Sequence, residues 1–151
     1  MRPAVLFLCT GNSARSQMAE GFLRRWAGDR FDVCSAGLIP KAIHPLAVQV
    51  MKEVGISIRA HRSKHVREFL GEKVFSHLIT FGDQEDRVTF TGFTDCVHWA
   101  VEDPAVVTGN EATRLEAFRR VRDRIAVCVQ GWLESQKALA PARTRPSVTN
   151  P

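Results

Sequence analysis

A thiol at Cys9 precedes a guanidinium at Arg15 and a hydroxyl at Ser16, with Thr10, Gly11, Asn12, Ser13 and Ala14 between them. A Cys-x5-Arg-Ser stretch of this composition suits an oxyanion cradle. Gly11 lets the chain turn tightly. Successive backbone amides converge on one anion, and a helix beginning at the end of the loop adds its positive end. Arg15 offers a planar fork to two oxygens of a tetrahedral anion. The same amides, helix end and guanidinium favour a thiolate, the nucleophilic form of cysteine; in such surroundings thiol pKa values fall from about 8.5 to roughly 3.5–7.5. Ser16 is placed to donate a hydrogen bond to that sulfur, and Asn12 to hold the shape of the loop. A lone Cys ending a strand would read as a small buried residue, but these neighbours make it a nucleophile beneath a bound oxyanion. A thiolate attacking such a centre expels an oxygen that a general acid must protonate. Asp103, in VEDPA, is the candidate, its backbone stiffened by Pro104. Asp-Pro is also an ordinary turn dipeptide, and it is the Cys9 loop that gives it a catalytic reading.

These residues need a scaffold, and the apolar pattern predicts one. AVLFL (4–8) is a short continuous apolar run, as in a parallel strand covered on both faces. From Ser16 to Ala27, Met18, Ala19, Phe22, Leu23 and Trp26 recur at helical spacing, and Gly28 closes the segment. FDVCSAG (31–37) reads as a second strand. HPLAVQVMKEVG (44–55) reads as a helix with Pro45 near its start and Gly55 at its end. A short helix over 66–70, a third strand over 74–81 and a fourth over 93–101 follow. From Glu111, the residues Leu115, Phe118, Arg122, Ile125, Val129 and Trp132 mark a long amphipathic helix. Strands alternating with helices predict an α/β fold with a mostly parallel, doubly wound sheet. In such sheets ligands sit beyond the carboxyl ends of the strands, where the Cys9 loop falls. One domain over 1–139 is expected, with a polar, Pro-rich tail from Ala140 that is frayed or disordered.

The 151 residues suffice for one domain with a core, and 44% hydrophobic with 25% charged residues is ordinary for a soluble globular protein. No apolar run approaches a membrane span, and MRPAVLFL reads as a strand rather than a signal peptide. A net charge of +5 suits an anionic partner. The basic residues are scattered and no nucleic-acid motif appears, so neither nucleic acid nor membrane is expected as a partner. The four cysteines, Cys9, Cys34, Cys96 and Cys128, form no CxxC or metal-finger spacing. Free thiols in a reducing, cytoplasmic setting are the expectation. Cys34 reads as strand filler and Cys128 as part of the apolar stripe Val121, Ile125, Cys128, Trp132. His44, His61, His65, His77 and His98 make no ligand spacing, so no metal site is expected. Trp26, Trp99 and Trp132 read as core or pocket wall.

The stretch CTGNSARSQMAEG resembles the low-molecular-weight protein tyrosine phosphatase superfamily, and specifically its arsenate reductase branch. SAG at 35–37, HRSK at 61–64, HW at 98–99, DPA at 103–105 and FRRVRDRI at 118–125 extend the resemblance over most of residues 4–133. It implies a four-stranded parallel sheet with helices on both faces, Cys9 as nucleophile, Arg15 as oxyanion binder, Ser16 as thiolate stabiliser and Asp103 as acid, with residues 10–15 cradling the anion. It implies no bound cofactor. In the reductases a second and third Cys relay the oxidation to a disulfide that thioredoxin reduces. Here Gly82 and Thr89 stand where those cysteines belong. The resemblance then leaves the adduct to an external thiol, whether a low-molecular-weight thiol such as glutathione or a glutaredoxin-like partner, with Cys96 as an internal alternative if its sulfur reaches Cys9. Some reductases hold potassium near the loop. Asn12, Glu20 and Ser35 match three of its ligands, but Lys64 stands in place of an Asp, so an ammonium is expected to fill the cation's place.

Three functions follow from these readings: a thiol-dependent arsenate reductase, a phosphomonoesterase using the same Cys9, Arg15 and Asp103, or a non-catalytic oxyanion-binding regulator. The intact nucleophile and acid argue against the last. Ala14 in the loop, Ala105 after Asp103-Pro104 and the absence of any Tyr lower specificity for a phosphotyrosine ring.

Overall fold

A computed structural model describes residues 2–69, 71–82 and 95–139. The elements run β1 (Ala4–Cys9), α1 (Arg15–Ala27), β2 (Asp32–Gly37), α2 (Pro45–Glu53), β3 (His77–Thr80), β4 (Asp95–His98) and α3 (Glu111–Leu139), with 3-10 turns at Val66–Glu68 and Pro104–Val106. The four strands form one parallel sheet in the order β2-β1-β3-β4. β1 is central and buried along its whole length, which is why its apolar run is continuous rather than alternating.

Alternate residues of β1 feed two cores. Val5, Phe7 and Cys9 face the side packed by α1, α2 and α3, with Met18, Phe22, Val50, Phe118 and Ile125 among their neighbours. Leu6 and Leu8 face the other side, with Cys34, Ala36 and Leu78, covered by Val66, Phe69 and Phe75 from the 3-10 turn and the chain after it. This alternation decides which cysteines face Cys9.

The expected four-stranded parallel α/β sheet is present, but among the described residues the three α-helices all pack one face and the 3-10 turn at Val66–Glu68 covers the other, not helices on both faces. The expected helix over 66–70 is a single 3-10 turn. The third strand is shorter than expected: Val74 is 83% exposed and Phe75 turns into the second core before pairing begins at His77. Of the fourth strand's expected span, Asp95–His98 pair, residues 93–94 lie outside the described residues, and the chain from Trp99 turns toward the site. Gly28 ends α1 but stays right-handed at φ −64, so no left-handed cap operates there; Gly55 at φ +80 does supply one beyond α2. His44 is the N-cap of α2, its ring nitrogen accepting from Leu46 N–H, and Pro45 follows at the first helical position. α3 carries the expected stripe, with Arg122 buried in it because Val50 O, Glu53 and Asp123 satisfy its guanidinium. Cys128 departs from expectation: it is half-buried at the margin of the stripe, and Val129 takes the core position. No described helix is long and apolar enough to cross a membrane. The expected disordered tail from Ala140 lies outside the described residues.

Candidate active site

Cys9 ends β1 and Arg15 begins α1, so the loop between them spans the carboxyl edge of the sheet beside the first turn of a helix. Its carbonyls are all tied outward. Thr10 O accepts from Ile39 N (2.8 Å), Gly11 O from Lys41 N (2.9 Å), Ser13 O from His44 N (2.9 Å) and Ala14 O from Met18 N (2.8 Å). Asn12 O accepts from the Gln17 side chain at 3.1 Å. In a trans peptide the C=O and the following N–H point oppositely. Tying these carbonyls outward therefore turns the amides of residues 11–15 toward the loop's centre, where an anion would sit. Asn12, at φ +50, takes the left-handed conformation that closes the turn.

The sulfur belongs to a residue only 2% exposed and lies at the floor of this ring. Asn12 N–H donates to Cys9 Sγ at 3.2 Å, and Ser16 Oγ lies 2.8 Å from it. The direction of the second bond follows from its neighbours. Lys64 N–H can only donate, and it meets Asn12 Oδ1 at 2.8 Å. The Asn12 amide nitrogen must then be the atom that faces Ser16 Oγ (2.8 Å) and Ser35 Oγ (2.9 Å), and it donates to both. The Ser16 hydrogen is left to point at Cys9. Ser35 passes its own hydrogen to Glu20 Oε1 at 2.5 Å. Two donors thus converge on a buried sulfur, an arrangement that stabilises negative charge there.

Gln17 buttresses the loop from behind. Its amide nitrogen donates to Asn12 O, Asn12 Oδ1 and Arg62 O, so its oxygen faces His61 Nδ1 at 2.9 Å, and His61 donates through Nδ1. Burial holds His61 below the ordinary imidazole range, with the Glu20 charge opposing. Lys64 Nζ donates to Arg62 O at 2.7 Å within electrostatic reach of Glu20; burial pushes its pKa down and Glu20 pulls it up. The Lys64 ammonium thus lies within electrostatic reach of Glu20, whose other oxygen, Oε2, already accepts from Arg24 Nε at 2.8 Å. Among the described residues no group of three His, Cys, Asp or Glu side chains is placed to hold a metal ion.

Arg15 is fixed by NH1 to Val101 O (3.2 Å) and Phe81 O (3.4 Å), carbonyls that follow β4 and β3. Its NH2 lies 3.8 Å from Asp103 Oδ2. Asp103 is 39% exposed, caps the 3-10 turn through Ala105 N–H (3.0 Å), and so presents its second oxygen toward the loop. The fold thus gathers every sequence-predicted catalytic residue: Cys9, Arg15, Ser16 and Asp103 share one edge of the sheet.

Cys96 is not gathered with them. β4 pairs with β3 at Leu78↔Cys96, and β3 with β1 at Leu6↔Leu78. Cys96 therefore lies two strands from β1, on the Leu6 face, whereas Cys9 lies on the Phe7 face. It is exposed, and the sheet separates the two thiols. Cys34, paired with Leu6, is on that opposite face as well, where burial pushes its thiol up. Cys128 lies one turn from Trp132, which packs at a tilt against Phe31 and edge-on against His77 at the amino end of the strands.

Two residues that sequence reasoning passed over complete the site. Gly37 ends β2 directly beside Cys9, and a Cβ there would stand 2.8 Å from Asn12 N and Thr10 O. Its only sequence signal is its place in SAG. His44 ties Ser13 to α2 and stacks on Phe118 at 4.6 Å. Burial and Arg114 lower its pKa, and Asp103 raises it.

The profile of the family described as low molecular weight phosphotyrosine protein phosphatase matches residues 4–142. The chain belongs to that family. Within it, an arsenate reductase of Halalkalibacterium halodurans is 38% identical over 137 residues, 90% of this chain and 99% of its own. An arsenate reductase of Bacillus subtilis is 37% identical over 134 residues, 88% and 96% of the two chains. The solved structure of an arsenate reductase in the phosphate-binding state superposes with a TM-score of 0.73 at 30% identity, covering 88% of this chain and 98% of the other.

Proposed function

We propose that this phosphatase-family chain is a thiol-dependent arsenate reductase. The observation that carries the reading is the buried Cys9 sulfur receiving Ser16 and Asn12 donors beneath a ring of inward amides, with Arg15 braced beside it. The likeness to proteins that act as arsenate reductases over nearly their whole length supports arsenate as the oxyanion. Amides 11–15 and Arg15 bind arsenate. The Cys9 thiolate attacks arsenic and forms an S–As bond, and Asp103 protonates the oxygen that leaves as water. An external thiolate then attacks Cys9 sulfur. The new S–S bond forms, the S–As electron pair stays with arsenic, and As(V) becomes As(III). A second thiol reduces the mixed disulfide, so arsenic acid and two thiols yield arsenous acid, a disulfide and water. The Lys64 ammonium, within electrostatic reach of Glu20, and the Arg24 guanidinium paired with it serve in place of a bound cation.

A second reading, a phosphomonoesterase, is favoured by one observation: no other thiol of the chain faces Cys9 to take the oxidation onward. The test supplies arsenate with glutathione, with glutaredoxin and glutathione, and with thioredoxin and its reductase, and measures arsenite beside p-nitrophenyl phosphate hydrolysis. Arsenite is expected from the wild type, none from Cys9→Ser, and a rate lowered about 100-fold or more in Asp103→Asn, as loss of a general acid costs. Hydrolysis without arsenite would select the phosphatase. Phosphate binding with neither activity would select a non-catalytic binder.

A further inference from the structure

Behind the loop, α1, β2 and the 60–64 segment border a second pocket, of about 440 Å3, whose lining includes Glu20, Arg24, Cys34, His61, Arg62 and Lys64. None of the loop residues 9–15 lines it. Its one carboxylate is already satisfied: Glu20 Oε1 accepts from Ser35 Oγ and Oε2 from Arg24 Nε. Its cations are not. The half-buried Lys64 has three ammonium donors and makes a single side-chain hydrogen bond among the described residues, to Arg62 O at 2.7 Å. Arg24 spends Nε on Glu20 and NH2 on Val33 O, which leaves NH1 without a partner among the described residues. His61 donates through Nδ1 to Gln17, so the Nε2 of the neutral ring is left as an acceptor. Arg24, His61 and Lys64 lie within electrostatic reach of one another. A desolvated ammonium short of acceptors is costly, and burial is what pulls Lys64 below the ordinary lysine range.

We propose that this pocket is a second oxyanion site, separate from the Cys9 loop, for a small tetrahedral anion that keeps a proton: hydrogen phosphate or its arsenate analogue. The Arg24 and Lys64 cations face one carboxylate that is already paired, so the pocket carries surplus positive charge. Lys64 Nζ and Arg24 NH1 supply the donors, a point charge and an edge of a guanidinium fork, that bind such oxygens. His61 Nε2 accepts from the anion's own O–H. That acceptor selects against sulfate and against phosphate ester dianions, neither of which carries a proton at about pH 7.5. The assignment does not depend on which reaction Cys9 performs. Occupation acts on the loop from behind. An anion on His61 and Lys64 clamps the segment whose main-chain N–H holds Asn12 Oδ1 and whose imidazole holds Gln17, and Asn12 in turn directs the Ser16 hydrogen to Cys9.

The test titrates the protein with inorganic phosphate at about pH 7.5, where the second ionisation is nearly complete for an ester and the inorganic dianion still holds a proton. Cys34 lines the pocket and Cys9 the loop, so each site holds its own reporter thiol, with the exposed Cys96 as control. Calorimetry should count two phosphates per wild-type chain. Phosphate should slow modification of both Cys9 and Cys34 by methyl methanethiosulfonate, mapped by peptide mass, and leave Cys96 unchanged. In Lys64→Met, which keeps the main-chain N–H on Asn12, one phosphate and the protection of Cys9 should remain while the protection of Cys34 is lost. Lys64→Arg should restore the second phosphate. Sulfate and O-phosphoserine should bind the pocket about tenfold more weakly than phosphate, the equivalent of one hydrogen bond. One phosphate per wild-type chain with Cys34 unprotected overturns the site, as does a second phosphate held undiminished by Lys64→Met. Sulfate or O-phosphoserine protecting Cys34 as well as phosphate does overturns the selection of a protonated anion by His61.

Discussion

Replacing Ser16 by alanine removes one of the two donors that converge on Cys9 sulfur while leaving the fold's larger contacts in place. The Ser16 hydroxyl lies 2.8 Å from Sγ, and its hydrogen is committed there because Asn12 donates to its oxygen from the other side. A hydrogen bond to a charged group contributes about 1.5–3 kcal/mol. Lost from the reactive thiolate, that corresponds to about 10- to 150-fold in rate near neutral pH, since each 1.36 kcal/mol is about tenfold. The Asn12 amide keeps its bond to Ser35, so the stability cost stays near the ~1 kcal/mol of one neutral hydrogen bond. Alkylation of Cys9 by iodoacetamide, followed by peptide mass, reads the sulfur directly, and arsenite formation reads the chemistry. Both should slow together in Ser16→Ala, and Ser16→Thr, which keeps a hydroxyl, should recover most of the rate. Wild-type alkylation by Ser16→Ala would refute the hydrogen-bond direction argued from Lys64 and Asn12.

At Gly37, a Cβ would press on Asn12 N, Thr10 O and Gly11 C at 2.8–2.9 Å, backbone atoms that cannot swing aside. Gly37→Ala should lower stability by about 1–3 kcal/mol, the usual cost of overpacking, and abolish phosphate binding by calorimetry; wild-type phosphate affinity would contradict the close approach. His44 and His61 both titrate below the ordinary 6.5, chiefly through burial. The unfolded chain therefore takes up protons first as pH falls, so the stability tied to these residues is present above pH 6.5 and lost below it. Melting temperature should drop between about pH 7.5 and about pH 5.5, and drop less in His44→Asn with His61→Gln; equal pH slopes in the two proteins would count against it. With the Lys64 ammonium beside Glu20, potassium titration should leave wild-type melting temperature and rate unchanged, and Lys64→Asp should make both respond to potassium; a potassium-stabilised wild type would remove the lysine from that role.

The local features of the chain were legible in its residues. The apolar run of β1, the helical spacing from Met18 to Leu23 and the start of α2 at Pro45 express propensity and periodicity over a few residues. The Cys9–Arg15–Ser16 chemistry is equally local: residues adjacent in sequence become one loop wherever a strand runs into a helix. Asp103 was placed by the general habit of parallel sheets to gather their carboxyl ends. Tertiary structure alone decided the rest, because those contacts join residues far apart in the chain. The loop's carbonyls are tied by Ile39, Lys41 and His44, its guanidinium by Phe81 and Val101, and its back by Lys64 and by His61 acting on Gln17. Gly37 matters only because parallel register sets it beside Cys9, and Cys96 fails as a partner only because pairing two strands away puts it on the other face. Sequence determined which groups could react. Strand register and the faces of the sheet decided which of them meet, since a side chain's direction along a strand alternates with every residue and its neighbours are chosen by pairing, not by proximity in the chain.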